Sequence, residues 1–129
     1  MNITKKPVLC LILGICLIGL SVNAAQTDEE LNKKYAPILG SYEFDASEMG
    51  MGILTVSIYV EGGYLWALPE GQGEPGEMLP VEGKVFEFTI EDSDGDYFLS
   101  FEKDENGEYT KLHAVNEMMG MDMVGIKKK

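Results

Sequence analysis

The feature that most constrains the fold of this chain is a set of short runs in which apolar and polar side chains alternate, separated by turns that contain glycine. The clearest run is Ile53–Glu61, in which one face is aliphatic and the other is mostly polar. The aliphatic face consists of Leu54, Val56, Ile58 and Val60. Side chains that alternate with a period of two predict a β-strand with one buried face. The paired glycines Gly62 and Gly63 follow directly and predict a two-residue hairpin turn, because glycine accepts the positive φ angles of such turns.

The same pattern continues to the end of the chain. Asp94-Gly95 and Asn106-Gly107 are further hairpin signals, since Asp and Asn tolerate the left-handed backbone region that the glycine completes. The predicted strands are 41–45, 53–61, 64–68, 77–82, 85–91, 97–103, 108–115 and 119–127. Eight short, evenly spaced strands favour an all-β, up-and-down antiparallel barrel or sandwich. Before them, residues 28–36 predict a short helical segment that is capped by Asp28 and ends before Pro37.

The first 25 residues have the pattern of a signal peptide. Lys5 and Lys6 precede an apolar run over residues 8–20, and small or polar residues follow it up to Ala25. The apolar run is shorter than the roughly 20 residues that a membrane-spanning helix needs. We therefore expect cleavage near Ala24 or Ala25, export to the periplasm or the exterior, no stable membrane anchor after cleavage, and a single mature domain over residues 26–129.

Both cysteines of the chain, Cys10 and Cys16, lie within this predicted signal peptide. A lipoprotein needs a small residue before its modified cysteine, whereas Leu9 and Ile15 stand there. We accordingly expect a mature domain with neither a lipid anchor nor a thiol.

The charge of the chain excludes one large class of partners. The sequence has 22 carboxylates, ten lysines and no arginine, and its formal net charge is -12. This charge repels phosphate backbones, and without arginine the chain has no bidentate clamp for phosphate or guanine. We therefore expect no binding to nucleic acid.

Several segments resemble a known family. They are Tyr35-Ala-Pro-Ile-Leu-Gly40-Ser-Tyr42-Glu, Leu54-Thr-Val56, Gly62-Gly-Tyr-Leu65, Leu79-Pro80-Val81 before Phe86, and Phe101-Glu-Lys-Asp104-Glu-Asn106-Gly107. Together they resemble the lipocalin-like domain of unknown function that often follows serine beta-lactamase-type peptidases. The resemblance extends over nearly all of the mature chain and implies an eight-stranded barrel that serves as an accessory module. We expect the module to act here without the hydrolase domain of such proteins.

Two segments match cofactor or metal motifs only in part. Residues 71–76 have the glycine spacing of a dinucleotide fingerprint, but no helix follows to hold a pyrophosphate. Residues 92–96 begin like a calcium loop, but Tyr97 and Lys103 stand where that loop requires glycine and glutamate. We interpret both segments as acidic hairpin loops and expect no cofactor.

A methionine cluster near the C-terminus supports an alternative hypothesis. Met118-Met119-Gly120-Met121-Asp122-Met123 is rich in thioethers, and Met49-Gly50-Met51 repeats the composition. Thioethers suit Cu(I). A hairpin that turns near Glu117 would place His113 roughly opposite Met121. A soft-metal site formed by His113, Met119, Met121 and Met123 is therefore the alternative to methionines that only fill the barrel wall.

The leading functional prediction is an exported, non-enzymatic barrel that binds a partner protein or a small apolar ligand. Small barrels hold ligands in their interior, so we predict an apolar site inside the barrel. Its candidate residues are Leu65, Trp66, Phe86, Phe88 and Phe101. A further alternative is an enzyme that works through a pair of carboxylates, whose separation the sequence does not reveal.

Overall fold

The computed structural model describes residues 26–71 and 73–129, so the predicted signal peptide lies outside the described residues. Those residues form one α-helix, two 3-10 segments and nine β-strands. The helix is α1 (Asp28–Tyr35), and the 3-10 segments are Ala36–Ile38 and Ser47–Met49. The strands are β1 (Gly40–Asp45), β2 (Ile53–Glu61), β3 (Tyr64–Pro69), β4 (Gly76–Glu77), β5 (Leu79–Pro80), β6 (Glu87–Ile90), β7 (Tyr97–Lys103), β8 (Tyr109–Asn116) and β9 (Met121–Lys127).

All the strands belong to one antiparallel sheet that curls into a nearly closed barrel. Its order is β4-β3-β2-β1-β9-β8-β7-β6-β5. Each strand therefore pairs with its neighbour in sequence, except that β1 pairs with β9 and that β4 and β5 form the two edges. The prediction of an antiparallel β-structure is confirmed, but the prediction of eight strands is wrong because the predicted strand 77–82 is divided in two.

Met78 is the residue at which that strand divides. Gly76 and Glu77 pair with β3, whereas Leu79 and Pro80 pair with β6. Met78 lies between these two short strands, is buried, and donates its backbone N–H to the Leu65 carbonyl (2.9 Å). The chain itself thus connects the two edges of the sheet at this point.

Gly76 allows the edge strand β4 to lie close to β6. An added Cβ atom at Gly76 would lie 2.7 Å from Cγ2 of Ile90, so any larger residue would displace the β6 side chain. This contact joins β4 to β6 across the edge of the sheet, beside the cavity described below.

The start of β6 also differs from the prediction, which placed it at Val85. Phe86 has a φ of 55°, in the left-handed region that residues other than glycine seldom adopt. This conformation interrupts the extended backbone, and regular pairing with β7 begins at Glu87, opposite Ser100.

Helix α1 is capped by Thr27 and not, as predicted, by Asp28. Thr27 and Glu30 form a capping box in which each side chain accepts a hydrogen bond from the backbone N–H of the other. The Asp28 carboxylate instead accepts hydrogen bonds from the backbone N–H groups of Gly62 (3.1 Å) and Gly63 (2.6 Å). The helix is thereby attached to the β2–β3 hairpin turn.

The helix and the following 3-10 segment cover one end of the barrel, which we call the closed end. Leu31, Tyr35 and Ile38 are buried there. Aromatic rings fill the adjoining half of the interior, with Phe88 packed edge-on against both Tyr35 (centroids 5.7 Å apart) and Phe101 (5.8 Å). The described part of the chain contains no helix with the length and apolar character needed to cross a membrane.

Candidate functional site

The half of the barrel opposite the helix, which we call the open end, contains a cavity of about 280 Å³. Its wall combines apolar side chains of the inner strand faces with residues of the loops at this end. Lining residues are Phe44, Met49, Met51, Leu54, Val56, Ala67, Pro69, Glu74, Gly76, Ile90, Asp92, Tyr97, Leu99, Leu112, Ala114, Met119, Met121 and Met123. The volume is slightly smaller than the range for small-molecule sites, which begins at about 300 Å³.

Small residues on inward-facing strand positions leave this space. Ala67 on β3 and Ala114 on β8 are both buried and line the cavity. The equivalent inward positions nearer the closed end hold larger side chains, such as Leu65 on β3 and Leu112 on β8. The interior is therefore filled at one end and hollow at the other.

Five methionines line the cavity: Met49, Met51, Met119, Met121 and Met123. The first three belong to the loops at the open end and are between 42% and 48% exposed, so they form its rim. The other two project inward from β9. Methionine is flexible and polarizable, and such side chains adapt to ligands of different shape.

Tyr97 and Asn116 fix the position of the rim methionine Met119. The Tyr97 hydroxyl donates to the Met119 sulfur (3.5 Å), and the Asn116 side-chain oxygen accepts from the Met119 backbone N–H (3.2 Å). The Asn116 side chain is fully buried, and its amide group also donates to the Gly95 carbonyl (3.2 Å). Asn116 thus joins the β6–β7 loop to the β8–β9 turn beside the cavity.

The residues that the sequence suggested for ligand binding lie elsewhere. Leu65, Phe88 and Phe101 are buried in the packed core, and Phe86 is partly buried against it. The structure brings the three phenylalanines together as core aromatics toward the closed end, and none of them lines the cavity.

Trp66 lies on the outer face of β3. Its indole N–H donates to the Glu61 carbonyl (2.9 Å), and its ring packs edge-on against Tyr64 (centroids 6.1 Å apart). The neighbouring residues Leu65 and Ala67 are the ones that point inward.

The structure separates His113 from the methionines. Strand β9 pairs His113 with Val124, and pairs Asn116 with Met121 and Ala114 with Met123. His113 consequently faces outward, where its Nε2 atom lies 2.6 Å from Asp122 Oδ1 and its Nδ1 atom lies 3.9 Å from Glu102 Oε2. Met119, Met121 and Met123 do share one cavity wall, as the alternative hypothesis requires.

The charged residues on the cavity wall are both carboxylates. Glu74 and Asp92 line the cavity from two loops at the open end, and both are exposed. At the end of β1, hydrogen bonds from the hydroxyl and the backbone N–H of Ser47 hold the pKa of Asp45 below its usual range. This carboxylate is therefore ionised at neutral pH.

The acidic turn 92–96 contains a local hydrogen-bond network. Asp92 accepts hydrogen bonds from the Ser93 hydroxyl (3.3 Å) and from the Asp94 backbone N–H (3.4 Å). Within the described residues, no three His, Cys, Asp or Glu side chains are arranged so that they could hold a metal ion.

Several cavity residues were not predicted from the sequence. The sequence does contain a signal for unfilled space at Ala67 and Ala114, because each is a small residue at an inward position of an alternating strand. Glu74 and Asp92 could not be assigned, because their place at the mouth depends on how the loops fold over the open end.

Comparisons with protein-family models, curated proteins and solved structures found no match to this chain.

Proposed function

We propose that this protein is an exported, lipocalin-like, non-enzymatic barrel that binds a small apolar ligand at its open end. The observation that carries the proposal is the cavity of about 280 Å³, with its apolar wall of methionine, leucine and alanine. Concave, mostly apolar sites with a few polar groups are typical of ligand-binding proteins, and the interior of a small barrel is a common place for them.

The structure of the wall supports a ligand rather than an accidental void. Apolar cavities cost stability, because the side chains around them lose packing contacts. A core optimised only for stability would carry larger residues than Ala67 and Ala114 at this level of the barrel. Met49 and Met51 of the rim have flexible side chains that can repack, which suits entry and exit of a ligand.

The test is calorimetric titration of protein expressed from the full-length chain with 1-octanol, a neutral apolar probe. We expect saturable binding, and we expect Ala67→Leu to weaken it about tenfold by filling the cavity. The matched control is Ala36→Leu, the same substitution at an exposed position of the closed end. Absence of binding, or equal weakening by both substitutions, would contradict the proposal.

A second candidate function, binding of Cu(I), is favoured by the five methionines that line one cavity. Thioether sulfurs are soft ligands for this ion. In this form of the hypothesis His113 takes no part, because it lies on the outer face beside Asp122.

Competition against a Cu(I) chelator tests the second candidate. A metal site in the cavity predicts stoichiometric Cu(I) binding that Met121→Leu weakens and that His113→Ala leaves unchanged. Met118→Leu is the matched control, since Met118 is 77% exposed and does not line the cavity. Equal effects of the two methionine substitutions would contradict a cavity site.

A further inference from the structure

Charge is distributed very unequally between the two ends of the barrel. The lysines of the described residues all lie in the half of the barrel next to α1. They are Lys33, Lys34, Lys84, Lys103, Lys111, Lys127, Lys128 and Lys129. The helix, the β5–β6 loop, the end of β7, and the end of β9 with the two residues after it carry seven of them, and Lys111 pairs with Ile126 near the same end.

The loops of the open end contain carboxylates and, within the described residues, no lysine. These carboxylates are Asp45, Glu48, Glu70, Glu74, Glu91, Asp92, Asp94, Asp96 and Glu117. All of them except Asp45, the last residue of β1, belong to four separate loops: β1–β2, β3–β4, β6–β7 and β8–β9. The cavity therefore opens into a negatively charged rim, and two members of that rim, Glu74 and Asp92, form part of its wall.

This arrangement selects among apolar ligands by their charge. A mouth lined by charge of one sign above an apolar wall concentrates counter-ions and raises their association rate. The carboxylates attract a positive group near the rim, and they repel the carboxylate of a fatty acid in the same place. The apolar wall below them, formed by residues such as Leu99 and Met123, accepts the hydrocarbon part in either case.

We propose that the ligand of this cavity is a cationic amphiphile, with a hydrocarbon body inside the barrel and an amine at the rim beside Glu74 and Asp92. This inference rests on the proposed function, because it specifies the chemical class of the same ligand. The hydrocarbon provides the burial, and the ammonium group pairs with exposed carboxylates in solvent, which avoids the cost of burying a charge.

Three probes with the same alkyl chain test the inference: octylammonium, 1-octanol and octanoate. We expect octylammonium to bind about fivefold more tightly than 1-octanol, as for one favourable charge pair in solvent, and octanoate to bind most weakly. Raising the salt from about 20 mM to about 300 mM should reduce the preference for the cation, because exposed charges are screened.

The double variant Glu74→Gln/Asp92→Asn should remove the preference for the cation, so that the ratio of the octylammonium affinity to the 1-octanol affinity falls close to one. The matched control is Glu105→Gln/Glu108→Gln, which removes two exposed carboxylates at the closed end. Binding of 1-octanol with no preference for the cation, or equal effects of the two double variants, would overturn this inference and leave the proposed function intact. Failure of all three probes to bind would overturn both.

Discussion

The ring of Phe44 lies directly against Gly125, so that an added Cβ atom at Gly125 would sit 2.6 Å from Phe44 Cζ. Gly125 is buried on β9, and Phe44 lines the cavity from β1. The absence of a side chain at Gly125 therefore determines where the Phe44 ring rests, and with it the shape of the cavity wall.

Gly125→Ala is expected to destabilise the protein by about 1–3 kcal/mol, because the new methyl group displaces the ring within a packed interior. Urea denaturation measures the change. Phe44→Leu provides the control, since the smaller side chain leaves room for the methyl group. Adding Gly125→Ala to that variant should then cost less than adding it to the native chain, whereas equal costs would contradict the contact.

Asn116→Ala is expected to reduce the free energy of unfolding by about 1–3 kcal/mol. The substitution removes the partner of the Gly95 carbonyl and of the Met119 N–H, and it empties a fully buried position. Asn106→Ala, on the exposed β7–β8 turn, is the matched control and should have a much smaller effect. Equal losses would show that Asn116 does not join the two loops at the open end.

Tyr42 gives a prediction for alkaline pH. Its side chain is fully buried and its hydroxyl donates to the Ile38 carbonyl (2.8 Å), and burial raises the pKa of Tyr42 far above its usual range. The pKa of Tyr42 is higher in the folded state than in the unfolded state. Its contribution to stability is therefore complete below about pH 10 and is lost as the pH rises further. The unfolding free energy should therefore decline above pH 10, and Tyr42→Phe should reduce the slope. An unchanged slope in the variant would contradict this assignment.

The strands with the clearest alternation were predicted with the bounds that the structure shows. Ile53–Glu61 and Tyr97–Lys103 are examples, because a strand with one buried face has a period of two that is visible in the sequence. The prediction of a single strand over residues 77–82 was wrong for a physical reason. The two halves of this segment form the opposite edges of the sheet, one paired with β3 and the other with β6. Closure of a barrel depends on sheet curvature, which the local sequence does not specify.

The position of His113 relative to the methionines shows how register limits such predictions. The sequence argument placed His113 roughly opposite Met121, whereas the structure pairs it with Val124. The two registers differ by three residues. A register shift by an odd number of residues moves a side chain to the other face of the sheet relative to its predicted partner. The β8–β9 turn decides the register, and its conformation depends on Asn116 and the Gly120 N–H bond to the Glu117 carbonyl.

The cavity itself could be anticipated only in part. The sequence predicts a ligand site inside the barrel and shows methionine-rich segments at residues 49–51 and 118–123. It did not indicate that Phe88 packs toward the closed end, or that Ala114 lies with Ala67 on the wall of a cavity at the open end. That division depends on which inward positions lie at the same level of the barrel, and strand register sets those levels.

The central claim is that the methionine-lined cavity binds an apolar ligand, and a titration followed by methionine-methyl NMR tests it most directly. In protein expressed from the full-length chain, 1-octanol should produce saturable shifts in the methyl signals of Met49, Met51, Met119, Met121 and Met123, which line the cavity. Met78, buried at the sheet edges, and Met118, exposed to solvent, are internal controls whose signals should stay in place. Shifts confined to Met118 or Met78, or no saturable shift at all, would contradict the account.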